Sequence, residues 1–391
     1  MTERLPLEGL KVVDISQGIA GPHCGMLLAL YGADVVKIEP PSGDWMRRIG
    51  QRYGAQTAHS AAFNRGKRSV AIDLKRPAAL EVAKRMIKQA DVFVENSRPG
   101  AVTRLGLGYE QVCDANPGLV YCSITGFGQE GPYRDRPGTD TVIQAYSGMM
   151  SLNRATNGEP VKLSTFLIDA LTGLYAFQAV SMALYERRDS GLGKFIDVSL
   201  MQSMAAVLAP NIMEQYLLGG PPRLPNVPGG VYQTQDGWVL VTLLREDEYE
   251  SICRILGAPE LADDPRFDDF EKRAANKDTL LPMLRDAFLK GTTAEWAEKM
   301  QAADLLCSPV LTPLDWLADP HVQAVQAAPL VTQPDVGAVP VPHVPGAPPS
   351  RDDDPRQRLP GVGEHTRAVL EEMGLDEAEI ADLLAGKDAA A

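Results

Sequence analysis

The chain has 391 residues, 45% hydrophobic and 23% charged, with 38 Lys and Arg against 51 Asp and Glu for a net charge of −13. At about 150 residues per domain this length predicts two or three domains, or one large domain with a satellite, with a core that needs no disulfide or metal staple. The composition excludes a disordered or fibrous chain, and the acidic balance removes the phosphate-neutralising attraction that nucleic acid or a polyanionic membrane surface requires.

The opening stretch, MTERLPLEGL, is charged and has no apolar h-region, so no secretory signal is expected. Leu10–Ser16 reads as a buried strand, followed by a bend at Gly18, Gly21 and Pro22 and an apolar helix from about Cys24 to Leu30. Asp34–Glu39 is the next strand and Ser69–Leu74 another, after which Pro77 opens a helix running to about Gln89. Asp91–Glu95 and Leu119–Thr125 complete a set of near-continuous apolar strands separated by helices, the pattern of a parallel sheet covered on both faces. The fold class that follows is α/β, doubly wound. The longest apolar stretch, Leu167–Tyr185, is broken by Asp169, Thr172, Gln178 and Ser181, and so falls short of a membrane span. A helix around Ala170–Arg187, a strand at Phe195–Leu200 and a helix over Met201–Leu218 follow.

Gly219–Gly230 (GGPPRLPNVPGG) marks a boundary. From Val231 to about Leu311 the pattern changes to a hairpin around Asp236–Gly237 and short charged helices, as in a smaller α+β domain. Val339–Pro360 is Pro-rich and reads as an extended surface segment. Cys24, Cys113, Cys122, Cys253 and Cys307 are odd in number and scattered, which fits reduced thiols in a cytoplasmic protein.

Familiar catalytic signatures are sparse. There is no P-loop, the five histidines show no metal-ligand spacing, and no metal site is expected. Gly18-x-x-Gly21 is an incomplete dinucleotide fingerprint and reads first as a tight strand-to-helix turn. Cations cluster at Trp45–Arg48, Asn64–Ser69, Lys75–Arg76 and Arg98–Gly100 with Arg104. Each can simply balance neighbouring acids, but their recurrence at strand ends points to a phosphorylated small molecule. Asp169 is the sharpest single residue, a carboxylate in an apolar segment at a loop-to-helix junction. It reads either as an N-cap or as a nucleophile near a positive helix terminus, and the two readings are compatible.

The blocks LPLEGLKVVDIS, YGADVVKIEPPSGD, FNRGKRSVAIDLK, ADVFVENSRPG, RLGLGYE, LVYCSITGFGQEGPY and LPGVGEHT resemble the class III CoA-transferase family, which includes formyl-CoA and carnitine CoA-transferases. The resemblance spans nearly the whole chain. It implies a Rossmann-like large domain from both chain ends (1–222 and 325–391), a small α+β domain (223–324) and a homodimer of interlinked protomers. It implies a CoA thioester as substrate with no permanently bound cofactor, and a carboxylic acid as its partner. Asp169 matches the family's catalytic aspartate, which passes through acyl anhydride and aspartyl-CoA thioester intermediates. The implied CoA contacts are Gln17 and Gly18; Ile72, Asp73, Leu74 and Lys75; Asn96, Ser97 and Arg98; Arg104; and Arg136, Pro137, Gly138, Thr139 and Asp140.

Two departures narrow the activity. The family's racemases carry a histidine where this chain has Thr139, which cannot titrate near neutral pH, so a racemase or isomerase is the alternative rather than the expectation. The loop Asn226–Gly230 is shorter than the glycine run of the oxalate-handling members. The overall pattern is closer to members that use succinyl-CoA and dicarboxylic acids. A CoA-binding protein without turnover is the reading from another class, and the intact Asp169 argues against it.

Overall fold

Six parallel strands carry the site: β1 (Lys11–Asp14), β2 (Asp34–Glu39), β3 (Arg68–Ala71), β4 (Val92–Glu95), β5 (Val120–Thr125) and β6 (Phe195–Ser199). Their order across the sheet is β3-β2-β1-β4-β5-β6, so the chain starts in the middle, winds to one edge and then to the other. The computed structural model describes residues 4–155, 157–220 and 227–385. The chain divides into two units, Met1–Ala209 with Gln326–Ala391, and Pro210–Val325.

The apolar runs explain the first unit. Val12, Val92, Val94, Val120, Cys122 and Ile124 face one side of the sheet and pack with helix α1 (Ala20–Leu30), while Val13, Val36, Ile38, Val70, Phe93 and Tyr121 face the other and pack with α2 (Pro77–Lys88). Alternation puts successive side chains on opposite faces, and since both faces are covered the strands need apolar residues throughout. The third strand differs from expectation: it begins at Arg68 and stops at Ala71, leaving Ile72–Lys75 as the loop at its carboxyl end. The carboxyl-terminal segment closes that edge, with His365 N–H donating to Ser69 O (2.9 Å), Gly363 N–H to Ser69 Oγ (2.7 Å) and Ala71 N–H to Thr366 Oγ1 (3.0 Å).

Helix α3 (Asp140–Tyr146) is short, and α4 (Leu167–Ser190) is the longest in the chain's described residues. Contrary to the sequence expectation, α4 is long and apolar enough to cross a membrane by length and composition, with a mean hydropathy of 1.4. It lies instead against α1 and strands β5 and β6. Gly173 makes that contact possible, because a Cβ there would stand 2.7 Å from both Ala20 O and His23 Cβ. The single helix expected over Met201–Leu218 is two, Leu200–Val207 and Ala209–Leu218. Pro210 has no N–H to continue the ladder and its ring crowds the preceding turn, which breaks the helix there.

In the second unit, the expected hairpin pairs Gly230–Gln233 with Trp238–Val241, and Cys307–Pro309 adds a third antiparallel strand. Arg273 is fully buried in this unit, donating to Val227 O (2.8 Å) and Phe267 O (2.9 Å) between the rings of Tyr249 and Phe270, and pairing with Glu246. Of the predicted boundary and loop, residues 221–226, Asn226 among them, lie outside the described residues.

Candidate active site

In a doubly wound sheet, ligands sit beyond the carboxyl ends of the strands where the winding reverses, here between β1 and β4. A cavity of about 710 Å³ opens there, large enough for a substantial part of a cofactor-sized ligand. Its walls come from the ends of β1 (Ile15, Gln17), β4 (Asn96–Pro99) and β5 (Ile124–Gly126), from Trp45 and Met46, from Arg134 and Arg136–Thr141, and from Phe166 and Asp169. Thus Asp169, Gln17, Asn96, Ser97, Arg98, Arg136, Pro137, Gly138, Thr139 and Asp140 are brought to one cavity. Gly18 lies under its rim, whereas Ile72–Lys75 and Arg104 lie outside this lining. Ile72 is buried, and Lys75 and Arg104 are exposed on the same carboxyl-end side of the sheet.

Asp169 is the third residue of α4, and its place in the helix corrects one of the two sequence readings. It is not the N-cap; Phe166 holds that position and offers no side-chain acceptor. The carboxylate of Asp140, from the first turn of α3, does the capping across space: its Oδ2 accepts the N–H groups of Ile168 (2.8 Å) and of Asp169 itself (3.1 Å). Asp140 Oδ1 in turn accepts from Gln144 Nε2 (2.6 Å). The helix terminus therefore spends its free donors on Asp140, leaving the Asp169 oxygens to the cavity. Burial, reinforced by the negative charge of Asp140, raises the Asp169 carboxyl to about 7. On the far side His23 donates from Nδ1 to Ala170 O (2.9 Å), and burial, with Lys67 and Arg65 nearby, pushes His23 down to about 4, so it acts as a neutral ring.

The loop that carries Arg136–Asp140 reaches the sheet through two glycines. A Cβ on Gly126 would stand 2.7 Å from Gly138 Cα, so the backbones touch directly and set Thr139 and Asp140 at the end of β5. The Arg136 guanidinium lies flat on the Tyr133 ring, 3.4 Å from its centroid, and Tyr133 packs in turn on Phe127 and Tyr146. The switch point itself is stitched by Asn96, whose Oδ1 accepts Gln17 N–H (2.9 Å) and whose Nδ2 donates to Gln17 O (2.6 Å). Glu95 braces the same loop: its carboxylate accepts Ser97 N–H (2.7 Å) and the Ser123 hydroxyl, and burial pushes it up to about 7. Arg98 lines both this cavity and a neighbouring one of about 310 Å³ floored by Glu95.

Of the two sequence readings for the cation clusters, charge balance holds for Arg47 and Lys67. Arg47 and Lys67 are buried, Arg47 in a bidentate pair with Glu39 (2.8 and 2.9 Å) and Lys67 bound to Asp14 (2.9 Å), Pro22 O (2.7 Å) and Asn64 Oδ1 (3.0 Å). Burial draws Lys67 down to about 8 despite Asp14. For Asp14 the burial penalty is outweighed by Lys67 and Lys37, which hold its carboxyl below the usual range. Lys37 is likewise raised, because Asp14, Asp44 and Glu39 overcome its desolvation. Sequence reasoning missed Asp14, Lys37, Asp44 and Glu95; for Asp14, Lys37 and Glu95 the signal was a charge in an otherwise apolar strand, as in VVD, VVKIE and VFVE, whereas Asp44 sits in a loop, as N-cap of the turn at Trp45–Arg48.

A family model described as CoA-transferase family III matches residues 7–366. The chain is 33% identical over 390 residues to the succinyl-CoA:glutarate CoA-transferase of Homo sapiens, covering 97% of this chain and 89% of that protein. It is 34% identical over 385 residues to the succinate–glutarate CoA-transferase of Agrobacterium fabrum, covering 94% and 96% respectively. Among solved structures, a CAIB/BAIF family protein from Brucella suis superposes with a TM-score of 0.85 at 32% identity, covering 95% of this chain and all of that one.

Proposed function

The chain belongs to CoA-transferase family III, and on that premise we propose that it moves CoA from an acyl-CoA donor, succinyl-CoA by preference, to a dicarboxylic acid, with Asp169 as the nucleophile. The observation that carries the reading is a carboxylate facing the switch-point cavity and titrating near neutrality, a group basic enough to attack yet ionised at physiological pH. The donor and acceptor classes are supported by the reactions for which the two relatives above are named.

The steps balance without an outside reagent. Asp169 attacks the donor's thioester carbon, the C–S bond breaks, and CoA leaves as thiolate from a mixed anhydride. The thiolate attacks the aspartyl carbon of that anhydride, releasing the donor acid and leaving an aspartyl-CoA thioester. The acceptor carboxylate then displaces the thiolate to form a second anhydride, and the thiolate attacks the acceptor's acyl carbon, freeing Asp169. The anhydrides are more activated than the thioesters on either side of them, and the overall exchange of one thioester for another is near balance. Arg98 and Arg136 suit CoA phosphates or pantetheine amides, with Gln17, Asn96 and the Arg136–Asp140 loop along the pantetheine arm and Ile72–Lys75 and Arg104 toward the nucleotide.

The proposal includes a large CoA-binding domain built from both chain ends, a cytoplasmic enzyme, and a homodimer with interlinked protomers. Exposed apolar side chains support the dimer: Leu174, Met182 and Tyr185 on α4, and Met213, Tyr216 and Leu217 on the helix Ala209–Leu218. Light scattering at micromolar concentration is expected to give a dimer. The decisive test of function is incubation with succinyl-CoA followed by peptide mass spectrometry, which should find an acyl or CoA adduct on Asp169 that glutarate discharges. An Asp169→Ala variant transferring CoA at the wild-type rate would refute the assignment.

A further inference from the structure

Gln17 stands at the switch point between two peptide groups that are each held by a buried charge. Lys37 Nζ donates to Ser16 O (2.6 Å), and the Asp44 carboxylate accepts Gly18 N–H (3.1 and 3.2 Å). Lys37 and Asp44 also pair with each other at 3.0 Å, and both side chains are wholly shielded from solvent. Asp44 reaches a second wall as well, accepting Met46 N–H (3.0 Å) and so starting the turn that carries Trp45. The Trp45 ring lies over Gly18 so closely that a Cβ there would be 2.6 Å from it. Gln17, Trp45 and Met46 all line the cavity of Asp169.

A buried ion pair is poor evidence for stability, since a well-packed apolar pair of similar volume is often as stable or more so. An apolar pair could not, however, offer a donor to Ser16 O and an acceptor to Gly18 N–H. We propose that the Lys37–Asp44 pair is a positioning device that fixes Gln17 and Trp45 against the reacting thioester, each acting through the wall it holds rather than by touching substrate. This rests on the CoA-transfer reading above.

The experiment compares wild type with Asp44→Asn and with the paired apolar variant Lys37→Met/Asp44→Leu, in succinyl-CoA-to-glutarate transfer and in amide hydrogen exchange of the peptide spanning residues 16–19. The paired variant should fold, lose about 100-fold in kcat with the glutarate KM unchanged, and exchange faster at Gln17 and Gly18. Asp44→Asn, which keeps an acceptor for Gly18 N–H, should lose about tenfold. A folded paired variant with wild-type kcat, or with unaltered exchange over residues 16–19, overturns the proposal. If the paired variant does not fold, Asp44→Asn decides by kcat alone, a wild-type value overturning the proposal. If wild type itself transfers no CoA to any acid, the functional reading fails, while unaltered exchange in the folded paired variant still sinks the positioning role separately.

Discussion

Replacing Asp169 by Asn should stabilise the unliganded protein, by an amount that grows as pH rises from about 4 and is largest at neutral or alkaline pH. The folded carboxyl titrates at about 7 against an ordinary value of 3.8. A gap of roughly three units is about 4 kcal/mol, and because the side chain is only half-buried, screening brings the expected effect to about 2 kcal/mol. Between those two values the folded state holds a proton that the unfolded chain has released, so stability falls as pH rises from 3.8 toward 7 and the penalty is complete above 7. Asn keeps the size and removes the charge, so it abolishes the penalty where it exists and changes little where wild type is already neutral. Urea unfolding of both proteins at pH 8 and at pH 4.5 reads the difference directly. The expected result is a gain of about 2 kcal/mol at pH 8 that shrinks to about a quarter of that at pH 4.5. A gain that is equal at both pH values, or a loss at pH 8, would refute the account of Asp169 as a desolvated carboxylate beside Asp140.

Asp140→Ala removes both the charge next to Asp169 and the acceptor for two helix N–H groups, so the acid limb of kcat/KM should move below about 7, and thermal unfolding should show a loss of about 2–4 kcal/mol. Gly18→Ala puts a methyl into the Trp45 ring at a backbone φ of +84°, and should destabilise the fold by at least about 1 kcal/mol and weaken CoA-thioester binding in calorimetry. Arg98→Gln should raise the KM for the CoA thioester about tenfold, the worth of one charge-assisted contact, and leave the KM for the carboxylic acid unaltered. In D₂O without acceptor acid, wild type should leave the α-stereocentre of an acyl-CoA unracemised in chiral chromatography, because Thr139 cannot serve as the second acid/base group that inversion requires beside Asp169.

Much of the architecture was legible in the chain itself. Apolar runs such as VYCSIT and VFVE, spaced by helical patterns, determined a parallel sheet covered on both faces, and the DG turn determined the hairpin of the second unit. These follow from periodicity and turn chemistry, which act over a few neighbouring residues. Asp169 was conspicuous because a charge in an apolar segment needs a reason wherever it lies. The tertiary structure alone decided what each charge does. It placed Asp140, 29 residues away in sequence, on the N–H of Asp169 and made it the cap. It buried Arg47 and Lys67, whose sequence clusters left charge balance and phosphate binding both open, and spent them on Glu39 and Asp14. It also showed that a helix apolar enough for a membrane is docked by one face on its neighbour through Gly173. A residue type records that a charge is present, whereas its partner and its degree of burial depend on segments far apart in the chain that meet only when the sheet has closed around them.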